Sequence, residues 1–237
     1  MDILLVRHAQ PDWEPDERAT DTPDLTDLGH EQARLTADAL AHEQFDALYA
    51  SPLPRALQTA APIAEKLGLE PHVESWLREI ELPPLEGKSP DEVQTFFRQA
   101  RARELEHWWE GYVGGESFRH FYERVSSGVE SLLAGRHALG IHEADGGHRI
   151  WQVPDTPRAR RLLVVAHEGT NSVILSHLLG IEPSPFTYVR FSAAWCSISR
   201  IHTAPAANGC IWSLQLFGDA NHLASLDADR DGRTPSA

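Results

Sequence analysis

The sequence predicts an α/β domain, a three-layer sandwich with a mostly parallel sheet flanked by helices, and three observations point to it. Short apolar runs without polar alternation, such as Ile3-Leu4-Leu5-Val6 and Leu162-Leu163-Val164-Val165-Ala166, read as strands buried on both faces. Stretches with helical periodicity alternate with them along the chain. The 237 residues suffice for one large domain, and neither an internal repeat nor a linker marks a second.

Taken in order, the first strand runs from Asp2 to Val6 and leads straight into Arg7-His8. Gln10 to Asp24, rich in Pro, Asp, Glu and Thr, reads as a loop. Thr26 offers an N-cap for a helix to about His42, with Leu28, Ala33, Leu35, Ala39 and Leu40 along its apolar stripe. Phe45 to Tyr49 is a second strand, and Ser51-Pro52 turns into a helix from about Pro54 to Leu67, closed by Gly68. His72 to Leu77 reads as a third strand, and Glu81 to Pro90 as a loop. Helices are expected at about Pro90 to Trp109 and Ser117 to Leu133, and the span of about 83–134 suggests a helical lid. Gly135 to Arg160 is an irregular, glycine-rich excursion with the look of a hairpin. After the strand at 162–166 comes His167, then a helix capped by Thr170 or Asn171 that ends near Gly180. Trp195 to His202 and Ile211 to Phe217 complete the strands. The domain is expected to span 1–226, with a disordered tail at 227–237.

Composition excludes several classes of function. A hydrophobic share of 41% with 24% charged residues fits a soluble globular protein, and no run approaches the roughly 18 apolar residues of a membrane span. MDILLVRH is too short and too acidic for a signal peptide, so a cytoplasmic address is expected. Cys196 and Cys210 make neither a disulfide framework nor a cysteine-rich metal site, and Cys196 reads as a small buried hydrophobe. A net charge of −14 argues against nucleic acid and against anionic membranes as partners. It does not argue against a small anion, because exposed charges are screened beyond about 8 Å at physiological ionic strength.

In open α/β sheets the ligand sits outside the carboxyl ends of the strands. His8 and His167 each follow a buried strand immediately and should emerge at that rim; Arg7 accompanies the first. Arg55 opens a helix after the second strand, where backbone N–H groups also favour an anion. Two histidines and two arginines converging at one rim suit a phosphate, since the guanidinium fork matches its oxygens. The cluster His137, His142, Glu143, Asp145 and His148 fits no compact helix face and reads as a solvated loop rather than a metal site. Trp108, Trp109 and Tyr112 are either core or an apolar wall beside a substrate; His30, His42 and His177 need no role beyond packing or exposure.

The segments LVRHA at 5–9, LTDLGHEQA at 25–33, SPLPRALQTA at 51–60, LREIELPPLEG at 77–87, GES at 115–117, VVAHEG at 164–169 and WCSISRI at 195–201 occur in order. Together they resemble the histidine phosphatase (phosphoglycerate mutase-like) superfamily, and LEG at 85–87 looks like its phosphatase branch. The resemblance implies a phosphoglycerate mutase-like fold and a phosphatase acting on a small phosphorylated metabolite. It implies His8 as the nucleophile that becomes phosphohistidine, Arg7, Arg55 and His167 as the rest of the phosphate pocket, and Glu79 as proton donor to the leaving oxygen. Glu81 and Glu86 stand nearby as competing carboxylates. Neither cofactor nor metal is implied. Ala9 replaces the family's usual glycine, Glu14 stands near the place of an asparagine that often helps to hold phosphate, and Glu168 replaces a common glycine. Two other functions compete: phosphoglycerate mutase-type transfer, and a regulatory or binding member with little turnover. A homodimer is compatible with the sequence but specified by no strand or stripe.

Overall fold

The protein is described from a computed structural model over residues 1–144, 148–154 and 161–226. Four strands form a parallel half-sheet: β1 (Asp2–Arg7), β2 (Ala47–Ala50), β3 (Pro71–Val73) and β6 (Arg161–Ala166). The other four, β4 (Gly140–Ala144), β5 (His148–Gln152), β7 (Ile198–Ala206) and β8 (Gly209–Asp219), pair antiparallel. The order across the single eight-stranded sheet is β3-β2-β6-β1-β7-β8-β5-β4. The sheet is thus mixed, and the mostly parallel reading holds only for the half that carries the chemistry. Consecutive strands joined by tight turns must run antiparallel, and Ala207-Asn208, both at positive φ (46° and 60°), make such a turn between β7 and β8.

Alternation along the parallel strands separates two cores. Ile3, Leu5, Tyr49, Leu162, Val164 and Ala166 face one side, where α4 (Phe118–Ser131) and α5 (Glu168–Leu178) pack. Leu4, Val6, Leu48, Ala50, Leu163 and Val165 face the other, against Ala37 and Leu40 of α1 (Asp27–Leu40) and Ala60, Ile63 and Ala64 of α2 (Pro54–Leu67). Strands apolar on both faces with helices on each side are the expected three layers.

Several boundaries differ from the sequence reading. The third strand ends at Val73, and a 3-10 turn at Ser75–Leu77 buries Leu77 and swings the chain toward Glu79. The helix expected to reach Trp109 stops as α3 (Pro90–Arg101), after which Arg103 turns its guanidinium onto the carbonyls of Ala100 and Gly111 and a 3-10 stretch follows at Leu105–Glu110. Within 83–134, α4 is core, burying Phe118, Phe121, Val125 and Val129, whereas α3 buries no residue fully. The helix after β6 starts at Glu168 with His167 as its N-cap, three to four residues earlier than a Thr170 or Asn171 cap would allow. Trp195–Ser197 is a turn rather than strand, with Cys196 at φ 55° bonding its N–H back to Arg7 O at 3.0 Å. The excursion after Gly135 contributes the β4–β5 pair, joined to β8 at Trp151↔Cys210. Asp145, the side chains of Glu143 and His148, and the tail 227–237 lie outside the described residues.

Candidate active site

Register alone brings the two histidines together. β1 and β6 pair in parallel with Arg7 opposite Ala166, so the next residues, His8 and His167, emerge side by side. Their ring centroids are 5.0 Å apart. β2 lies on the far side of β6 with Ala50 opposite Val165, which places Ser51 beside His167; its Oγ is 2.7 Å from His167 Nε2. The chain then turns into α2, whose second residue, Arg55, is buried and aims Nε at His8 Nε2 at 3.3 Å.

This geometry defines the state of His8. Its Nδ1 lies 2.7 Å from the carbonyl oxygen of Ala9, an atom that only accepts, so Nδ1 carries the proton. Nε2 therefore holds a lone pair, in keeping with the Arg55 N–H directed at it. Burial, then the charges of Arg55 and Arg7, holds the His8 pKa well below the usual histidine value, so the ring is neutral over the physiological range. Burial is also the main cause of the low pKa of His167, with Arg55 next. His167 Nδ1 and Arg55 Nη1 are buried without a hydrogen-bond partner in the protein, which suits an anion bound among them.

Glu79 joins from the loop after the 75–77 turn. Its carboxylate accepts from Gly169 N at 2.9 Å and Ile80 N at 3.0 Å. Burial is the main effect on its pKa and raises it; those two N–H groups and Arg55 oppose, and Glu168 adds to the rise. A Cβ on Gly169 would lie 2.6 Å from Glu79 Oε1, so the residue there must be glycine for the carboxylate to rest on the start of α5. Glu81 and Glu86 are exposed; the carboxylate of Glu86 accepts from Asp21 N at 2.9 Å, away from this constellation.

Glu79 is held from behind by a clamp that the sequence did not suggest. Arg124 on α4 donates to the carbonyls of Trp76 at 2.9 Å, Arg78 at 3.1 Å and Glu79 at 3.4 Å, and pairs with Glu116 at 2.7 Å. The Glu116 side chain is only 7% exposed, so Arg124→Leu should leave a buried carboxylate without its guanidinium, with only the exposed His120 ring at 3.1 Å and the Glu81 N–H at 3.3 Å beside it. The expected cost is about 2–4 kcal/mol, at the lower end of buried-pair values because Arg124 is partly solvated. Thermal denaturation should show Tm lowered by roughly 5–12 °C; an unchanged Tm would show that the clamp contributes nothing to stability.

Arg7, Glu168 and Trp13 complete the site. Arg7 Nη1 donates to Ala193 O at 2.6 Å and pairs with Glu168 Oε2 at 2.7 Å, while Ser192 Oγ donates to Glu168 Oε1 at 2.6 Å. Glu14 is exposed, and its neighbour Trp13 turns in instead, its ring 4.8 Å from the Arg55 guanidinium carbon; Trp195 lies 5.8 Å from that of Arg7. Ser51, Trp13, Ser192, Trp195 and the Arg124–Glu116 clamp were missed because only pairing register and loop path place them here. Tyr112 belongs to the core with Phe96, Phe97 and Phe118, and Trp108 stacks at its margin on Phe118 and meets Phe186 at a tilt. His137 is buried, 3.0 Å from Tyr49 OH, while His142 is exposed, and no metal-ligating group of three forms among the described residues. His177 does more than pack: it meets Glu130 at 2.8 Å and Arg149 at 2.7 Å. The Cys196 thiol is buried and its pKa pushed up to about 12, which leaves it inert.

Residues 3–142 match the family described as the histidine phosphatase superfamily (branch 1). The chain belongs to that family. Phosphoserine phosphatase 1 of Hydrogenobacter thermophilus is 31% identical over 210 residues, covering 87% of this chain and 88% of its own. A Serratia proteamaculans protein named "Probable phosphoglycerate mutase GpmB" is 26% identical, covering 94% and 95%. Among solved structures, a mycobacterial glucosyl-3-phosphoglycerate phosphatase in complex with VO3 superposes with a TM-score of 0.69 at 24% identity, covering 92% of this chain and 99% of that one. The alpha-ribazole phosphatase of Shigella flexneri gives 0.67 at 22%, covering 92% and 96%. At these identities the two structures show the shared fold.

Proposed function

We propose that this phosphatase hydrolyses a small phosphate monoester through a phosphohistidine on His8. The observation that carries the reading is the His8 ring: its Nδ1–H is fixed on Ala9 O, and its Nε2 lone pair is turned into a buried pocket beside Arg55 and His167. Nε2 attacks phosphorus as the bond to the leaving oxygen breaks, and the Glu79 carboxyl gives that oxygen its proton. Arg7, Arg55 and the unpartnered His167 Nδ1, as an N–H donor, stabilise the equatorial oxygens, the site of charge in a phosphoryl-transfer transition state. Water, deprotonated by the Glu79 carboxylate, then attacks the phosphohistidine; inorganic phosphate leaves, and both His8 and Glu79 return to their starting states.

The intact set of Arg7, His8, Arg55, Glu79 and His167 supports turnover over a purely regulatory role. A cytoplasmic setting is part of the proposal; both cysteines are free thiols, as a reducing compartment favours. No helix among the described residues is long and apolar enough to cross a membrane.

The test is to mix enzyme with a ³²P-labelled aryl phosphate, quench in alkali and map the label. A phosphoenzyme that is stable to base, labile to acid and confined to the peptide containing His8 is expected. Label elsewhere, or steady turnover without any phosphoenzyme in rapid quench, would sink the mechanism. Mutase activity that needs a bisphosphate primer and releases no phosphate would replace the phosphatase reading.

A further inference from the structure

Glu168 is a negative charge placed inside a site for anions, and its position has consequences for which phosphate esters fit. It is the first residue of α5, its side chain 23% exposed against 6% for its partner Arg7. One carboxylate oxygen sits 2.7 Å from Arg7 Nη1 and the other accepts from Ser192 Oγ at 2.6 Å, so the group is held in place rather than swinging free. The next residue, Gly169, binds the Glu79 carboxylate through its N–H, and Glu79 must touch the leaving oxygen. Glu168 therefore borders the side of the pocket on which the leaving group lies.

Counting charge in the pocket sharpens the point. Arg7 and Arg55 supply two positive charges, His8 and His167 are neutral, and Glu168 removes one. A bound phosphate dianion with protonated Glu79 then leaves the complex one charge negative. Arg124, behind Glu79, is already paired with Glu116, and Arg103 is directed at the carbonyls of Ala100 and Gly111. A second anionic group on the leaving alcohol would meet Glu168 with no matching cation among these residues. We propose that Glu168 is a specificity-determining residue that rejects leaving groups carrying a carboxylate or second phosphate. The substrate is then a monophosphate ester of a neutral or ammonium-bearing alcohol. This rests on the phosphatase reading above and deepens it.

Three esters with two-carbon leaving groups test the idea: ethyl phosphate, 2-aminoethyl phosphate and phosphoglycolate. In the wild type, kcat/KM for phosphoglycolate should be at least about tenfold below that for ethyl phosphate, with 2-aminoethyl phosphate equal to or above it. In Glu168→Gln the phosphoglycolate-to-ethyl phosphate ratio should rise about tenfold, and any advantage of the ammonium substrate should disappear. A change common to all three substrates reports altered positioning of Arg7 and cancels in the ratio. Equal wild-type rates on phosphoglycolate and ethyl phosphate, or an unchanged ratio in Glu168→Gln, overturn the proposal while leaving the phosphatase reading in place. Failure of the wild type to release phosphate from these esters and from an aryl phosphate overturns that reading, and the proposal with it.

Discussion

Phosphate release by His8→Ala is expected to fall by at least about 10⁴-fold in kcat on any monoester. The loss should be this large because the other groups act on the same atom only when Nε2 is present. Arg7, Arg55 and His167 stabilise charge on a phosphoryl group in transfer, and without an acceptor there is no transfer to stabilise. Water is a poor replacement, since Glu79 must stay protonated to serve the leaving oxygen and so is not free to activate it against the substrate itself. His8 is buried, and its removal leaves a gap and takes the acceptor from Arg55 Nε, so His8→Asn, closer in volume and able to donate to Ala9 O, serves as the control for folding. Both variants should keep the wild-type circular dichroism spectrum. A folded variant within tenfold of wild type would remove His8 from the reaction, whatever the remaining residues do.

Glu79→Gln should cost about 10²- to 10⁴-fold in kcat on an alkyl phosphate and far less on an aryl phosphate, whose leaving oxygen needs little protonation. The pH profile should change with it. The Glu79 pKa is raised, chiefly by burial, so the protonated acid persists above the usual carboxylate range and is lost as pH rises through that value. The His8 pKa is depressed by burial and the two arginines, so the neutral nucleophile persists well into acid. Wild-type kcat/KM on an alkyl phosphate should therefore fall along an alkaline limb set by Glu79, displaced upward from the usual carboxylate range, and along an acid limb set by His8, displaced below the usual histidine range. In Glu79→Gln the alkaline limb should vanish while the acid limb stays. Retention of the alkaline limb in the variant would assign it to another group and leave Glu79 without its role.

What the sequence determined by itself is the part of the molecule governed by local pattern. Unbroken apolar runs at 3–6 and 162–166 could only be strands covered on both faces, and a histidine directly after each had to leave the sheet at the same rim. Arg55 at the start of a helix followed from Ser51-Pro52 and the periodicity beyond it. Tertiary structure decided what depends on partners distant in the chain. In the antiparallel half, β4–β5 and β7–β8 are local pairs, but β7 meets β1, and β5 meets β8, only after the chain closes, and pattern alone cannot say which neighbour a strand will choose. The length of β3 depended on where Leu77 found its core, and the start of α5 on how far β6 carried the chain. Above all, the state of each site group was set by contact: Nδ1 of His8 on Ala9 O, Glu79 on the N–H of Gly169, Glu168 on Arg7. Residue type says that an imidazole or carboxylate is available; burial and neighbours decide which proton it holds and when.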